Sequence, residues 1–236
     1  MLINNYFMPN ILANLFDLFF PQECLNCRNL LEKKDTYLCF SCLSELPQTH
    51  FSFHQGNELE MSFKGRIPVK AATSLLFFEK KGMVQKMMHE LKYHNKPKIG
   101  TFLGNWLGKE MVASKRFEMI DFVVPVPLHP DRERERGYNQ VHFFAKSLAK
   151  ALEAELKEDL LKKIRNSQTQ TLKSRQNRFL SKEKEFILNE AGEIENKHIL
   201  LVDDTITSGA TMQACAHLLR SVSGVRLSLA SMAFSA

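Results

Sequence analysis

The strongest constraint on how this chain folds is a pattern that occurs twice. Residues 121–130, DFVVPVPLHP, and residues 198–202, HILLV, are apolar runs that end in polar, loop-forming residues. Segments of helical period follow them, at 138–155 and 211–222. Near-continuous apolar strands between helices need burial on both faces, which points to an α/β fold with a parallel sheet. A further strand, VRLSLASMAF (225–234), follows Gly224. Upstream, 69–78 reads as a strand and 82–94 as a helix with Met83, Met87 and Leu91 on one face. Residues 99–113 read as a second helix. Ligands of such sheets bind beyond the carboxyl ends of the strands. The loops after 121–130 and 198–202 are therefore expected at one rim.

The second loop is chemically dense. Residues 199–213, ILLVDDTITSGATMQ, run from a strand into Asp203 and Asp204, then Thr205, Thr207, Ser208, Gly209, Ala210 and Thr211. Gly209 lets the backbone approach a ligand. The hydroxyls, the free N–H groups of the following helix and its dipole form a cradle for a phosphate monoester. The carboxylates cannot face that phosphate, but they can accept hydrogen bonds from sugar hydroxyls or share Mg2+. Phosphate at one end and a vicinal diol behind it describe a ribose 5-phosphate. Helix capping alone would need one Asp. A receiver domain also ends a strand in VDD, but only 32 residues follow Asp204 here, too few for the rest of one.

Four of the five cysteines form CLNC (Cys24, Cys27) and CFSC (Cys39, Cys42). Two such knuckles supply four thiolates to one tetrahedral Zn2+, a closed and therefore structural site. Two disulfides would need an oxidising compartment, and no export signal precedes them: the first basic residue is Arg28, and Asn14 and Asp17 interrupt the apolar stretch. That stretch reads as an amphipathic helix over 1–20 carrying Ile11, Leu12, Leu15, Leu18 and Phe19. It packs on the domain behind it or docks peripherally to a membrane or partner, although it lacks the basic face that membrane docking favours. No apolar run is long enough to span a membrane. The zinc module takes 21–48, and 49–68 reads as a polar connector whose His50 and His54 are not needed as ligands. Cys215 lies on an apolar helix face and reads as core. The net charge of +6 permits a polyanionic partner without requiring one.

ILLVDDTITSGAT resembles the phosphoribosyl pyrophosphate motif of type I phosphoribosyltransferases. DFVVPVPLHPDRERERGYNQ, the paired cysteines after LFDLFFPQ, and ELKYHNKP are similar to signatures of the ComFC competence family within that superfamily. The resemblance spans essentially the whole chain. It implies a phosphoribosyltransferase-like domain over 49–236, with a hood at about 69–110, a core at about 119–236 and a mobile loop at about 160–185. Asp203 and Asp204 then match the acidic, catalytic pair on the ribose hydroxyls, and Thr205–Thr211 the 5-phosphate loop. Pro127, Leu128 and His129 match the pyrophosphate loop, with Arg132 and Arg136 as its guanidinium ligands. Asn139 and Gln140 orient the loop or cap the helix. Lys92 and Tyr93, at the end of the LKY match, lean over the cleft or pack.

The loop is basic through Lys162, Lys163, Arg165, Lys173, Arg175 and Arg178, which are candidate DNA-binding residues. Arg165, Gln170 and Arg178 match the family pattern, whereas Ser181 stands where the family carries Asn. The resemblance implies a role in natural transformation: binding phosphoribosyl pyrophosphate with Mg2+, and handling incoming single-stranded DNA at the cytoplasmic side of the inner membrane beside a ComFA-like helicase. A phosphoribosyltransferase acting on a nucleobase, and a phosphoribosyl pyrophosphate sensor, remain open alternatives.

Overall fold

The computed structural model describes residues 21–31, 37–93, 96–164 and 185–235. The helix expected over 1–20 lies outside them, as do Arg165, Gln170, Lys173, Arg175, Arg178 and Ser181. Two compact units divide between Leu46 and Pro47, so Pro47 and Gln48 fall with the larger unit.

In the first unit, Glu23 and Leu30 form an antiparallel bridge around the CLNC turn. The turn closes through Cys24 N–H to Asn29 O at 2.8 Å and Arg28 N–H to Cys24 O at 3.0 Å. The short helix α1, Phe40–Ser44, carries the second knuckle.

The second unit is a parallel α/β fold. Its five-stranded sheet comprises β1 (Ala72–Phe77), β2 (Phe122–Pro125), β3 (Glu155–Leu156), β6 (His198–Ile206) and β7 (Arg226–Phe234), in the order β1-β7-β6-β2-β3. Every pairing in it is parallel. Residues 199–202 of β6 and nearly all of β7 are buried, as continuous apolar runs covered on both sides should be. Within the stretch assigned to the hood, β1 is an edge strand of this same sheet. The hood helices are α3 (Met83–Tyr93) and α4 (Lys98–Ser114). The buried stripe of α3 is Val84, Met87, Met88 and Leu91, with Met83 only half-buried, so the face is turned slightly from the one expected.

Helix α4 meets α6 (His142–Ala151) along Gly104 and Gly108. A Cβ at Gly104 would stand 2.7 Å from Cβ of Ser147, and one at Gly108 2.6 Å from Cβ of Ala151. Glycine at this spacing lets the two backbones close up, and any side chain would force them apart.

Two segments differ from expectation. The connector 49–68 is ordered: a 3-10 turn at Phe51–Phe53 leads to α2, Glu58–Phe63. Asn57 caps α2 by accepting from Glu60 N–H, and Leu59 and Phe63 are fully buried. Alternation of polar and apolar residues over so short a span hid this helix. The stretch DRERER, within 130–136, is the helix α5, Pro130–Arg136, with no buried residue. Pro130 at its start, His129 as cap and Gly137 at φ 78° as its left-handed terminus define it. Of the stretch 160–185 expected as a mobile loop, Leu161–Lys163 form β4, which pairs antiparallel with β5 (Phe186–Leu188), and 165–184 lie outside the described residues.

Candidate ligand site at the carboxyl rim of the sheet

The register of β2 against β6 pairs Pro125 with Val202, and Val126 N–H continues the ladder to Val202 O at 2.8 Å. The strand expected to end at Val202 in fact runs on to Ile206, held by its pairing with β7, so Asp203 and Asp204 lie on β6 itself, just past the level at which β2 gives way to Pro127-Leu128-His129.

The acidic pair is tightly held. Asp203 accepts from the N–H of Asp204 at 2.8 Å. Burial, then the charge of Asp204, push the Asp203 carboxyl up to about 7, while that same N–H, Lys92 and Lys163 act in the opposite direction. Asp204 is ion-paired to Lys92 Nζ at 2.9 Å. Lys92 thus reaches the acidic pair. Its neighbours on α3 hold the other loop: the Tyr138 hydroxyl donates to Leu91 O, and the Arg136 guanidinium lies over the Tyr93 ring at 5.3 Å.

Beyond the acids, Thr205 Oγ1 is buried with no hydrogen-bond partner. A buried hydroxyl without a partner is costly and fits a site built for a ligand. Thr207 and Ser208 are exposed, Gly209 is buried, and Ala210 and Thr211 are half-buried at the start of α7, Ala210–Arg220. Sequence reasoning missed Arg66, which sits under this loop. Its Nη2 donates to Ser208 O at 2.9 Å, and its Nε and Nη2 hold Gln213 Oε1 at 2.9 and 2.8 Å. No local signal in the connector connects Arg66 with residues 142 positions away.

On the other loop, His129 Nδ1 accepts from Asp131 N–H at 3.2 Å, which ties His129 to α5. Arg136 donates to Gln140 Oε1 at 2.7 Å, and Gln140 is 1% exposed. Asn139 Nδ2 donates to Val126 O at 3.2 Å and its Oδ1 accepts from Val141 N–H at 3.1 Å, joining strand end to helix start. Arg132 is half-exposed and has no partner among the described residues, which leaves it the better placed of the two arginines to meet an anion. A cleft of about 590 Å³ adjoins this loop, lined by Pro127, Leu128, His129, Lys162 and Lys163 among others. Residues 203–211 do not line it. Lys163 meets Glu185 at 3.5 Å beside the β4–β5 pairing, and Lys162 is exposed beside Asp159 at 3.7 Å.

In the first unit the sulfurs of Cys24, Cys27, Cys39 and Cys42 all lie within 4.8 Å of one another, with Cys27 and Cys39 at 3.6 Å. Four thiolates around a tetrahedral Zn2+ at about 2.3 Å stand about 3.8 Å apart, so the cluster fits that ion. His50 and His54 are not part of the cluster. Asn26 Nδ2 donates to Cys42 Sγ at 3.4 Å, the kind of outer-shell contact that orients a thiolate ligand.

Residues 142–234 match the Phosphoribosyl transferase domain family. The chain is 25% identical over 213 residues to Competence protein F of Haemophilus influenzae, covering 86% of this chain and 92% of that protein. It is 26% identical to Competence protein ComFC of Bacillus subtilis, covering 93% of this chain and 87% of that protein. The chain is thus similar to these two competence proteins over most of its length. The DNA utilization protein YhgH of Escherichia coli is 27% identical over a shorter stretch, 56% of this chain and 59% of its own length. The matched residues contain α6, β6, α7 and β7, hence all of Asp203 to Thr211, while Pro127 to Arg136 lie just ahead of them. The parallel sheet, the four-cysteine cluster and the helices ahead of the matched domain agree with the architecture expected from the sequence. Among the described residues no helix is long and apolar enough to cross a membrane.

Proposed function

We propose that the chain binds phosphoribosyl pyrophosphate at the rim of the sheet and uses that site in handling single-stranded DNA during natural transformation, at the cytoplasmic side of the inner membrane. The observation that carries the reading is the buried, partnerless hydroxyl of Thr205, set between an acidic pair and a helix N-terminus. Asp203 and Asp204 would take the ribose hydroxyls or Mg2+, Thr205 to Thr211 the 5-phosphate, and Pro127 to His129 with Arg132 the diphosphate. When bound, phosphoribosyl pyrophosphate supplies an anomeric carbon carrying a diphosphate leaving group. The protein's part is to orient it and to hold the carboxylates near the charge that develops there. The relatives are named for competence and DNA utilization, and the basic segment entered at Lys162 and Lys163 suits a polyanion.

A second reading, transfer of the phosphoribosyl group to a nucleobase, is favoured by the presence of every chemical element of the acidic loop and by the cleft beside Pro127 and Leu128.

Binding of labelled single-stranded DNA should be measured with and without phosphoribosyl pyrophosphate and Mg2+, in the native chain and in Asp203→Asn/Asp204→Asn. The double variant is expected to lose the sugar phosphate and keep DNA. Charge removal at Lys162, Lys163, Arg165, Lys173, Arg175 and Arg178 should weaken DNA binding and flatten its salt dependence. A native chain that binds no phosphoribosyl pyrophosphate would sink the proposal. Release of pyrophosphate on adding a nucleobase would promote the second reading.

A further inference from the structure

The acidic pair is not bare. The last turn of α3 sends three consecutive residues to the rim: Leu91 O accepts from Tyr138, Lys92 pairs with Asp204 at 2.9 Å, and Tyr93 stacks under Arg136. Leu91 and Tyr93 fasten α3 to the segment after β2, and this fastening carries Lys92 across to Asp204 near the carboxyl end of β6. Lys92 and Asp204 are both mostly shielded, with side chains 24% and 15% exposed. The other lysine acting on the pair, Lys163, has Glu185 as a partner of its own. Among the described residues the one ion pair of Lys92 is with Asp204.

In phosphoribosyl pyrophosphate the two ring hydroxyls and the diphosphate project from the same face of the ribose. A carboxylate that reads the diol therefore looks toward the side on which the diphosphate stands. An ammonium in contact with that carboxylate lies within one side-chain swing of the diphosphate oxygens. Resting on the phosphoribosyl pyrophosphate reading given above, we propose that Lys92 is a specificity-determining residue. It leaves Asp204 to the ribose diol and takes the diphosphate, so that the site selects phosphoribosyl pyrophosphate over ribose 5-phosphate. The pair Lys92–Asp204 then compensates both charges in the free chain, where a buried carboxylate without a partner would be costly.

The two ligands differ in the diphosphate, which makes them the probes. Affinities for phosphoribosyl pyrophosphate and for ribose 5-phosphate, each with Mg2+, should be measured by calorimetry on the full zinc-loaded chain and on Lys92→Met, Lys92→Gln and Lys92→Arg. Thermal unfolding of each variant confirms that it is folded, and Lys92→Gln serves if the methionine variant is not. The expected result is a loss of about tenfold or more for phosphoribosyl pyrophosphate in the neutral variants, the size of a charge-assisted hydrogen bond. Ribose 5-phosphate affinity should stay level or rise, and Lys92→Arg should recover part of the preference. Equal weakening of both ligands would make Lys92 a brace for the loop and overturn the inference. Unchanged or tighter phosphoribosyl pyrophosphate binding would make it a plug on Asp204 and also overturn it, while leaving the ligand reading intact. A native chain that binds neither ligand would fail the ligand reading itself and the inference with it.

Discussion

Phe63 packs so closely under Gly209 that a Cβ there would stand 2.7 Å from the ring's Cζ. Gly209 also has φ +68°, in the left-handed region where L side chains are strained. Glycine at 209 is thus required twice, by its own backbone and by a helix in the connector.

Replacement of Gly209 by Ala should therefore cost stability from both sources. The left-handed backbone contributes about 1 kcal/mol, and the forced contact adds about 1–3 kcal/mol. Denaturant unfolding should show the loss, and ribose 5-phosphate affinity should fall because the loop must shift. Adding Phe63→Leu to Gly209→Ala should recover part of the packing term. A single variant as stable as the native chain would contradict the close packing.

The raised Asp203 carboxyl sets a pH dependence whose sign is fixed. Its folded value of about 7 lies above the unfolded one of 3.8, so between them the folded chain holds a proton that the unfolded chain has released. This contribution is fully present below pH 3.8 and is lost as pH rises to about 7. Unfolding free energies for the native chain and Asp203→Asn, compared from pH 4 to pH 8, isolate it from the other carboxylates. The variant should gain on the native chain as pH rises and level off above about 7. A difference independent of pH would exclude a raised carboxyl.

Zinc should be stoichiometric and structural. One ion per chain is expected in the native protein, and Cys27→Ser or Cys39→Ser should lose it. Chelation should expose the first unit, up to Leu46, to protease while the second unit, from Pro47, stays resistant. Metal analysis with limited proteolysis checks both halves of the statement. Native chain without zinc, or equal digestion of both units, would count against a zinc-held module.

What could be read along the chain was whatever is carried by neighbours in sequence. The apolar runs 121–126 and 198–202 announced buried parallel strands because burial on both faces leaves no polar alternation. The acidic pair, the hydroxyl-rich loop and the paired cysteines are each contiguous or nearly so, and their chemistry is local. Asn139 was legible as a loop-orienting residue because its partner, Val126, lies in the same signature.

Other features depended on approach between distant segments. The connector's Phe63 and Arg66 shape the turn at Ser208 and Gly209 from far along the chain, with Arg66 hydrogen-bonded to Ser208 O and Gln213 Oε1. Arg136 carries the guanidinium expected of an anion ligand, yet the fold spends it on Gln140 and Tyr93. Lys92 could not be told from a packing residue until α3 was fastened beside Asp204. The fold class and the cysteine cluster were already present in the residue order, because periodicity and short motifs are properties of adjacent residues. Which charges meet was settled by the folding of distant segments against one another, since an ion pair such as Lys92–Asp204 exists through a few ångströms of space and leaves no mark in the spacing of its residues.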